Sequence, residues 1–336
     1  MTIRERVVTS LAHRQPDAVP FHVTFTEPAR QKMGSFYGDP GFERKLGNCL
    51  TILRARLPYR EVPGRPQVFE DEFGVWWDRS LDTDIGCVCN TVITSEDTLK
   101  DYEFPDPSNP IRFEPFPRLL ADRGDTLAVA SIGYALFERA WSLAGMETVL
   151  AGMLDAPSFV HELLDRILAY DLEVTRHALS FDVDGMRFGD DWGQQRGLIM
   201  GPVLWREFIK PRIARLYGLV HEHGKKVFIH CCGRVEEILP DLIECGVDVF
   251  NPFQPEVMDV EDIKRRFGDR LTFFGGISTQ KTLPFATPAK VREETKRLID
   301  RIGRHGGYIA APAHDIPKDA RPENIAAMIE VLQGQG

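Results

Sequence analysis

The chain of 336 residues has only six cysteines, too few to staple a scaffold of this size, and reduced thiols are the expectation. It has no excess of positive charge: 41 Lys+Arg stand against 50 Asp+Glu, a formal net charge of −9. Nothing resembles a basic face, so no nucleic-acid partner is expected. No apolar run approaches the roughly 18 residues that a membrane span needs, so no membrane association is expected. Residues 1–6, Met-Thr-Ile-Arg-Glu-Arg, lack the apolar core of a secretion signal, and a cytoplasmic location is the expectation. No internal repeat or low-complexity tract is present. No Gly-x-Gly-x-x-Gly follows the first strand, which removes support for a dinucleotide-binding open sheet.

What is present is a regular alternation. Short apolar runs at 126–132, 185–189, 226–230, 247–251, 271–275 and 307–311 read as buried strands, with an earlier one at 19–25. Amphipathic stretches at 2–13, 157–180, 202–223, 235–245, 260–267 and 288–302 read as helices. The fourth-to-last of these begins Gly201-Pro202, and proline suits a first helical turn because its missing N–H has no partner there anyway. Strand–helix alternation implies a parallel sheet covered by helices. The length suits a (β/α)8 TIM barrel with an N-terminal extension, which is the fold class expected. Three prolines within 104–110 force an extended path, yet a boundary there would isolate about a hundred residues with few clear elements. A single domain over 1–336 is expected, elaborated over about 1–120. The aromatic segment 69–77 reads as a hairpin over the barrel mouth, its rings packed into the core.

A barrel carries its chemistry at the C-terminal ends of its strands. Those ends read Asp190-Asp191-Trp192, His230-Cys231-Cys232-Gly233, Asn251-Pro252-Phe253-Gln254, Gly275-Gly276-Ile277-Ser278 and Pro312-Ala313-His314-Asp315. Imidazole and thiolate are preferred zinc ligands, and residues i and i+2 of an extended strand share a side. His230 and Cys232 can therefore reach one ion, with Cys231 facing away. A lone His-x-Cys is a weak signal; His314 on the same rim strengthens it by supplying a third ligand. Three protein ligands with one open position is the composition of a catalytic zinc site. Cys87-x-Cys89 has no completing partner and reads as buried or incidental thiols. His221 and His223 fall at a helix end, where the dipole favours them; His13, His161, His177 and His305 read as surface residues. Asp190 and Asp191 fit either a loop-fixing role or one toward substrate or metal.

These segments, with Phe137-Glu138-Arg139-Ala140-Trp141 and Pro322-Glu323-Asn324-Ile325, resemble the uroporphyrinogen decarboxylase superfamily over essentially the whole length. The resemblance implies a TIM barrel and divides on function. The decarboxylases hold substrate carboxylates with an Arg-Gln-Ala-Gly-Arg segment after the first strand. Here Arg30-Gln31-Lys32-Met33-Gly34 lacks the second arginine, which argues against a porphyrinogen substrate. The methyltransferase branch uses zinc held by His-x-Cys and a later cysteine. His230 and Cys232 match the first two positions and His314 stands at the third, a harder donor suited to polarising an oxygen. The resemblance thus implies zinc at His230, Cys232 and His314, with Asp191 and His314 as catalytic groups. Asp190, Gln195, Asn251, Gln254, Glu256, Tyr134 and Glu138 are the substrate-binding candidates. No Asp-x-His-x-x-Gly corrinoid motif is present, so cobalamin is expected on a separate corrinoid protein, exchanging methyl with a small methylated donor or acceptor, methoxylated compounds included. The alternatives are a metal-independent decarboxylase of a uroporphyrinogen-like or other carboxylated substrate and a corrinoid- or tetrapyrrole-binding protein without catalysis. A homodimer is the family expectation.

Overall fold

The computed structural model describes residues 1–335 apart from Asp82 and Ile85. Seven strands, Leu50–Arg54, Leu127–Ile132, Gly185–Gly189, Lys226–His230, Val249–Phe253, Thr272–Ile277 and Tyr308–Pro312, lie side by side in that order. All neighbouring pairs are parallel. The eighth position is filled by the extended segment 19–25. It bridges the last strand at Phe21–Ala310 and the following loop at Phe25–Ile316. On its other side Cys49 N donates to Phe21 O, and the Asn48 side chain bonds both the N–H and the carbonyl of Val23. The ring closes, as a (β/α)8 barrel requires.

The barrel interior is filled by Leu50, Ile52, Leu127, Val129, Phe228, Val249, Phe274, Ile309 and Ala311. Alternation along each strand puts these on one face, and the side chains between them meet the outer helices. The helix Ile3–Leu11, opened by a Thr2–Glu5 capping box, closes the N-terminal end. Its Val7 joins the interior cluster, and its Ser10 hydroxyl bonds both the N–H and the carbonyl of Tyr308.

Strands 185–189 and 226–230 and helices Val260–Phe267 and Pro288–Ile302 match the sequence expectation. Strand Leu50–Arg54 is an addition to it. The helix expected at 202–223 is instead Gly201–Leu204, a π-helical turn Trp205–Ile209, and Lys210–Glu222. Pro211 lacks the N–H that a regular helix there would use, so the ladder is displaced. The stretch 235–245 divides into a 3-10 turn, Glu236–Ile238, and the helix Leu239–Glu244.

Residues 69–77 do form a hairpin, within a four-stranded antiparallel sheet of Arg60–Glu61, Val68–Glu70, Trp76–Asp78 and Cys87–Val88. Trp77 is fully buried, whereas Trp76 is half-buried beneath the Arg65 guanidinium. Cys87 and Cys89 are exposed, so they are incidental rather than buried thiols. His177, His221, His223 and His305 are exposed; His13 and His161 are half-buried, the latter stacked on Phe208 at 4.3 Å. Among the described residues no helix is long and apolar enough to cross a membrane.

Candidate active site at the barrel mouth

A cavity of about 330 Å³ opens at the C-terminal ends of the strands. Its walls include His230 and Asn251 from consecutive strand ends, His314 and Asp315 beyond the last strand, and Asp71, Glu72 and Phe73 from the hairpin.

His230 ends its strand, Cys232 follows two residues on, and His314 comes from the other side of the ring. One ligand atom of each lies within 4.8 Å of the other two. Cys232 Sγ is 3.5 Å from His230 Nε2. Zinc bonds of about 2.3 Å to sulfur and about 2.05 Å to nitrogen at a tetrahedral angle set those atoms about 3.6 Å apart. The donor set and this spacing therefore fit a zinc ion held by His230, Cys232 and His314. Cys231 turns the opposite way, fully buried, its Sγ accepting from Trp192 N at 3.2 Å.

The loops are pressed together by two glycines. A Cβ on Gly233, whose φ is +86°, would stand 2.3 Å from the carbonyl carbon of Gly193; one on Gly193 would stand 2.5 Å from Cys232 O. Only glycine permits this approach. Asp191 Oδ1 accepts from Cys232 N at 2.7 Å and fixes the same turn.

Asn251 determines the tautomer of His230. Its Nδ2 donates to Phe274 O at 3.0 Å, so its Oδ1 faces the imidazole, 2.6 Å from Nδ1. The acceptor-only oxygen at the shorter distance assigns the proton to Nδ1, which leaves Nε2 with a lone pair toward Cys232 and His314. Arg187 stands close behind, its Nη2 3.3 Å from Asn251 Oδ1 and 2.9 Å from His230 Nδ1. Burial lowers the pKa of His230 to about 4, with Arg187 adding to the effect, so the ring is neutral at pH 7. Burial raises the Cys232 thiol and Asp191 raises it further, so a thiolate there needs a cation beside it.

Of the other expected site residues, Tyr134, Glu138 and Asp191 line the cavity with Asn251. Burial holds the Glu138 carboxyl well above its usual range, with Asp191 and Asp190 adding to it. Four positions lie elsewhere. The Asp190 carboxylate accepts from Phe137 N, Glu138 N and Trp192 Nε1 at 3.1, 2.7 and 2.6 Å, which fixes the start of the helix Leu136–Ala144. Gln254 Oε1 accepts from Gly233 N at 2.7 Å. Glu256 Oε1 accepts from the Ser278 hydroxyl at 2.5 Å. Gln195 is exposed in the tight turn after Gly193–Gln194.

The sequence reading missed Arg187, His22 and the buried pairs under the hairpin. Arg139 Nη1 meets Asp71 Oδ2 at 2.7 Å, and Arg112 pairs with Glu72, which also accepts from Tyr170 Oη at 2.8 Å. The signal for Arg187 was available: a lone charge inside an otherwise apolar five-residue strand.

The family model for uroporphyrinogen decarboxylase (URO-D) matches residues 80–334. A uroporphyrinogen decarboxylase of Chromohalobacter salexigens is 26% identical over 183 residues, 54% of this chain and 50% of that one. The methylcobamide:CoM methyltransferase MtaA of Methanosarcina barkeri is 28% identical over 132 residues, 39% of this chain and 36% of that one. The chain thus spans about half, or less, of the length of these curated relatives. A methyltransferase from Methanosarcina mazei superposes with a TM-score of 0.75 at 18% identity, over 99% of this chain and 98% of that one, a likeness of fold. With the family model covering six of the seven strands of the sheet and the positions of His230, Cys232 and His314, the chain belongs to the uroporphyrinogen decarboxylase family.

Proposed function

We propose that this chain is a zinc-dependent methyltransferase that exchanges a methyl group between a small substrate and the corrinoid of a separate protein. The convergence of His230, Cys232 and His314 carries the reading. The tautomer set by Asn251 supports it, because it leaves the nitrogen facing the other two ligands free to bind. The match to a methylcobamide-dependent methyltransferase supports the corrinoid partner.

Zinc bound by these three side chains supplies a Lewis acid beside the heteroatom that bears the methyl group. The chain's own residues do the rest. The hairpin side of the cavity, with Phe73 and the buried Arg139–Asp71 pair, excludes water from one wall. Asp191 holds the Cys232 turn through the backbone N–H. Glu138, whose carboxyl burial holds above its usual range, faces the cavity and in its protonated form can give its proton to the heteroatom as the methyl group leaves. The cavity's volume lies at the lower end of the roughly 300–1,000 Å³ typical of small-molecule sites, which suits a one-ring or acyclic substrate better than a four-ring macrocycle.

A metal-free decarboxylation is the competing reading, favoured by the decarboxylases among the relatives. Metal content separates the two. Protein purified without added zinc or chelator should carry close to one zinc per chain, and Cys232→Ser and His314→Ala should lose it while remaining folded. Wild-type protein that neither carries nor takes up zinc would overturn the proposal.

A further inference from the structure

The cavity wall carries six carboxylates: Asp71, Glu72, Glu138, Asp171, Asp191 and Asp315. Five of them have partners. Asp71 and Glu72 hold Arg139 and Arg112. Asp191 Oδ1 accepts from Cys232 N, Asp315 from the Thr24 hydroxyl, and Glu138 from the Asp191 N–H. Asp171 makes no hydrogen bond or ion pair among the described residues. Its Oδ2 is buried without a partner, and the residue as a whole is only 2% exposed.

The helix Pro157–Leu179 brings Asp171 there. Tyr170, Asp171, Val174 and Thr175 lie on its buried face, and the first three reach the cavity. Spacings of three and four residues put them on one side of the helix. Other polar atoms around Asp171 are left over too: Thr175 Oγ1 one turn on, and Nε of both Arg139 and Arg112. A buried polar atom without a partner is costly, and folded chains rarely keep several together. The cluster therefore lines an occupied space, the part of the cavity beneath the hairpin, whose other walls include Phe73 and Val174.

No net charge is left in this part of the cavity to attract an ion. Arg139 and Arg112 each have their own carboxylate. Burial holds the Asp171 carboxyl well above its ordinary range; Asp190 and Glu72 reinforce that, against the pull of Arg139 and Arg112. A neutral carboxyl has an O–H to give and a carbonyl oxygen to receive, side by side in one plane. Its complement carries the reverse pair, a carbonyl beside an N–H.

We propose that Asp171 receives a primary amide or lactam of the substrate, pairing with its carbonyl and its N–H at once, while the methyl-bearing heteroatom lies toward His230, Cys232 and His314. The second half rests on the methyl-transfer reading; the amide site stands on the cavity and its unpartnered atoms. Asp171 is then a specificity-determining residue. A site built to hydrogen-bond an N–H rejects the analogue lacking it far more strongly than an apolar wall rejects a change of size.

The test is a calorimetric titration with three one-ring probes of like size: 4-methoxybenzamide, 4-methoxyacetophenone, which keeps the carbonyl but has methyl for NH2, and 4-methoxybenzylamine, a cation at pH 7. The amide should bind at least tenfold more tightly than the ketone, and more tightly than the amine. Asp171→Leu should make amide and ketone equal. Asp171→Asn should keep most of the preference, because a carboxamide also presents a donor beside an acceptor. Circular dichroism checks that both variants are folded. Equal binding of amide and ketone by wild type, absence of amide binding, or a preference that survives Asp171→Leu would overturn the proposal. So would tightest binding of the amine, or loss of the preference in Asp171→Asn, since either would mean an ionised carboxylate. The same titrations on Cys232→Ser separate the two readings. An amide preference kept in protein that never holds zinc would leave this site standing and remove the methyl-transfer reading; a preference absent from zinc-loaded wild type would do the reverse.

Discussion

Replacing Asn251 by alanine should weaken metal binding although Asn251 is not itself a ligand. In the native arrangement its Oδ1 lies 2.6 Å from His230 Nδ1 and keeps the proton there. Arg187 Nη2 waits 2.9 Å from the same nitrogen, and a guanidinium can only donate. With the amide gone, Arg187 becomes the sole partner of Nδ1, and the proton is driven to Nε2, the position that must bind the ion. Metal binding then has to reverse that tautomer against the arginine. Loss of such a supporting partner typically costs 10–100-fold in affinity, about 1.4–2.7 kcal/mol. Asn251→Asp should behave oppositely, since a carboxylate accepts from Nδ1 more strongly and also neutralises Arg187. Competition against a chromophoric zinc chelator measures all three proteins. An Asn251→Ala protein that is folded and binds zinc as tightly as wild type would refute the argument, as would Asn251→Asp falling below Asn251→Ala.

Other perturbations test the surroundings. Asp71→Ala leaves Arg139 buried without its partner and removes the acceptor of Phe73 N, Val75 N and Trp77 Nε1. It should cost about 3–5 kcal/mol, a fall of roughly 4–7 °C in Tm for a chain of this size by thermal denaturation. Burial lowers His22 to about 4, with Arg187 adding to the shift. The unfolded chain, with its histidine near 6.5, takes up a proton first as pH falls; the contribution is complete above about 6.5 and lost progressively toward about 4. Stability by urea unfolding should drop by about 2 kcal/mol from pH 7 to pH 5 through this residue, and His22→Leu should flatten the slope by that amount. Glu138→Gln should slow methyl transfer and remove the fall in rate that wild type shows as pH rises through the raised pKa of Glu138; an unchanged pH–rate profile would eliminate it as proton donor.

Most barrel staves were legible because a buried parallel strand is a short apolar run bounded by turn residues, as at 185–189 and 226–230. Leu50–Arg54 was not legible. Its interior positions run Leu50, Ile52, Arg54, so the stave ends in a charge that reads as surface. The pairing of Cys232 rather than Cys231 with His230 was legible because period-two geometry separates the two thiols without any tertiary information. Asp190 and Asp191 could not be told apart by spacing. One carboxylate fixes the start of a helix while its neighbour faces the cavity, and that depends on where residues 137–138 pack. Gln254 and Glu256 sit past a strand end, yet the chain turns them to tie down the glycine after Cys232 and the loop at Ser278. Rim position predicts location along the barrel axis; which way a side chain turns is set by partners distant in sequence.

The seam of the ring has a dynamic consequence. Elsewhere in the barrel, strand meets strand through ladders of several paired residues, one of them shifted in register between Phe250 and Phe253, but segment 19–25 is held by scattered backbone bonds and by the Asn48 side chain standing in for a strand. Regions with fewer cross-links open at lower free energy. His314 leaves the chain just past this seam, while His230 and Cys232 leave it three staves away. An ion held by all three would rivet the seam to the rigid part of the wall. Amide hydrogen exchange at His22, Thr26, Ala310 and Ile316, whose N–H groups cross the seam, then becomes a gauge of metal occupancy, slowing on zinc addition while exchange in the strand Lys226–His230 stays fixed.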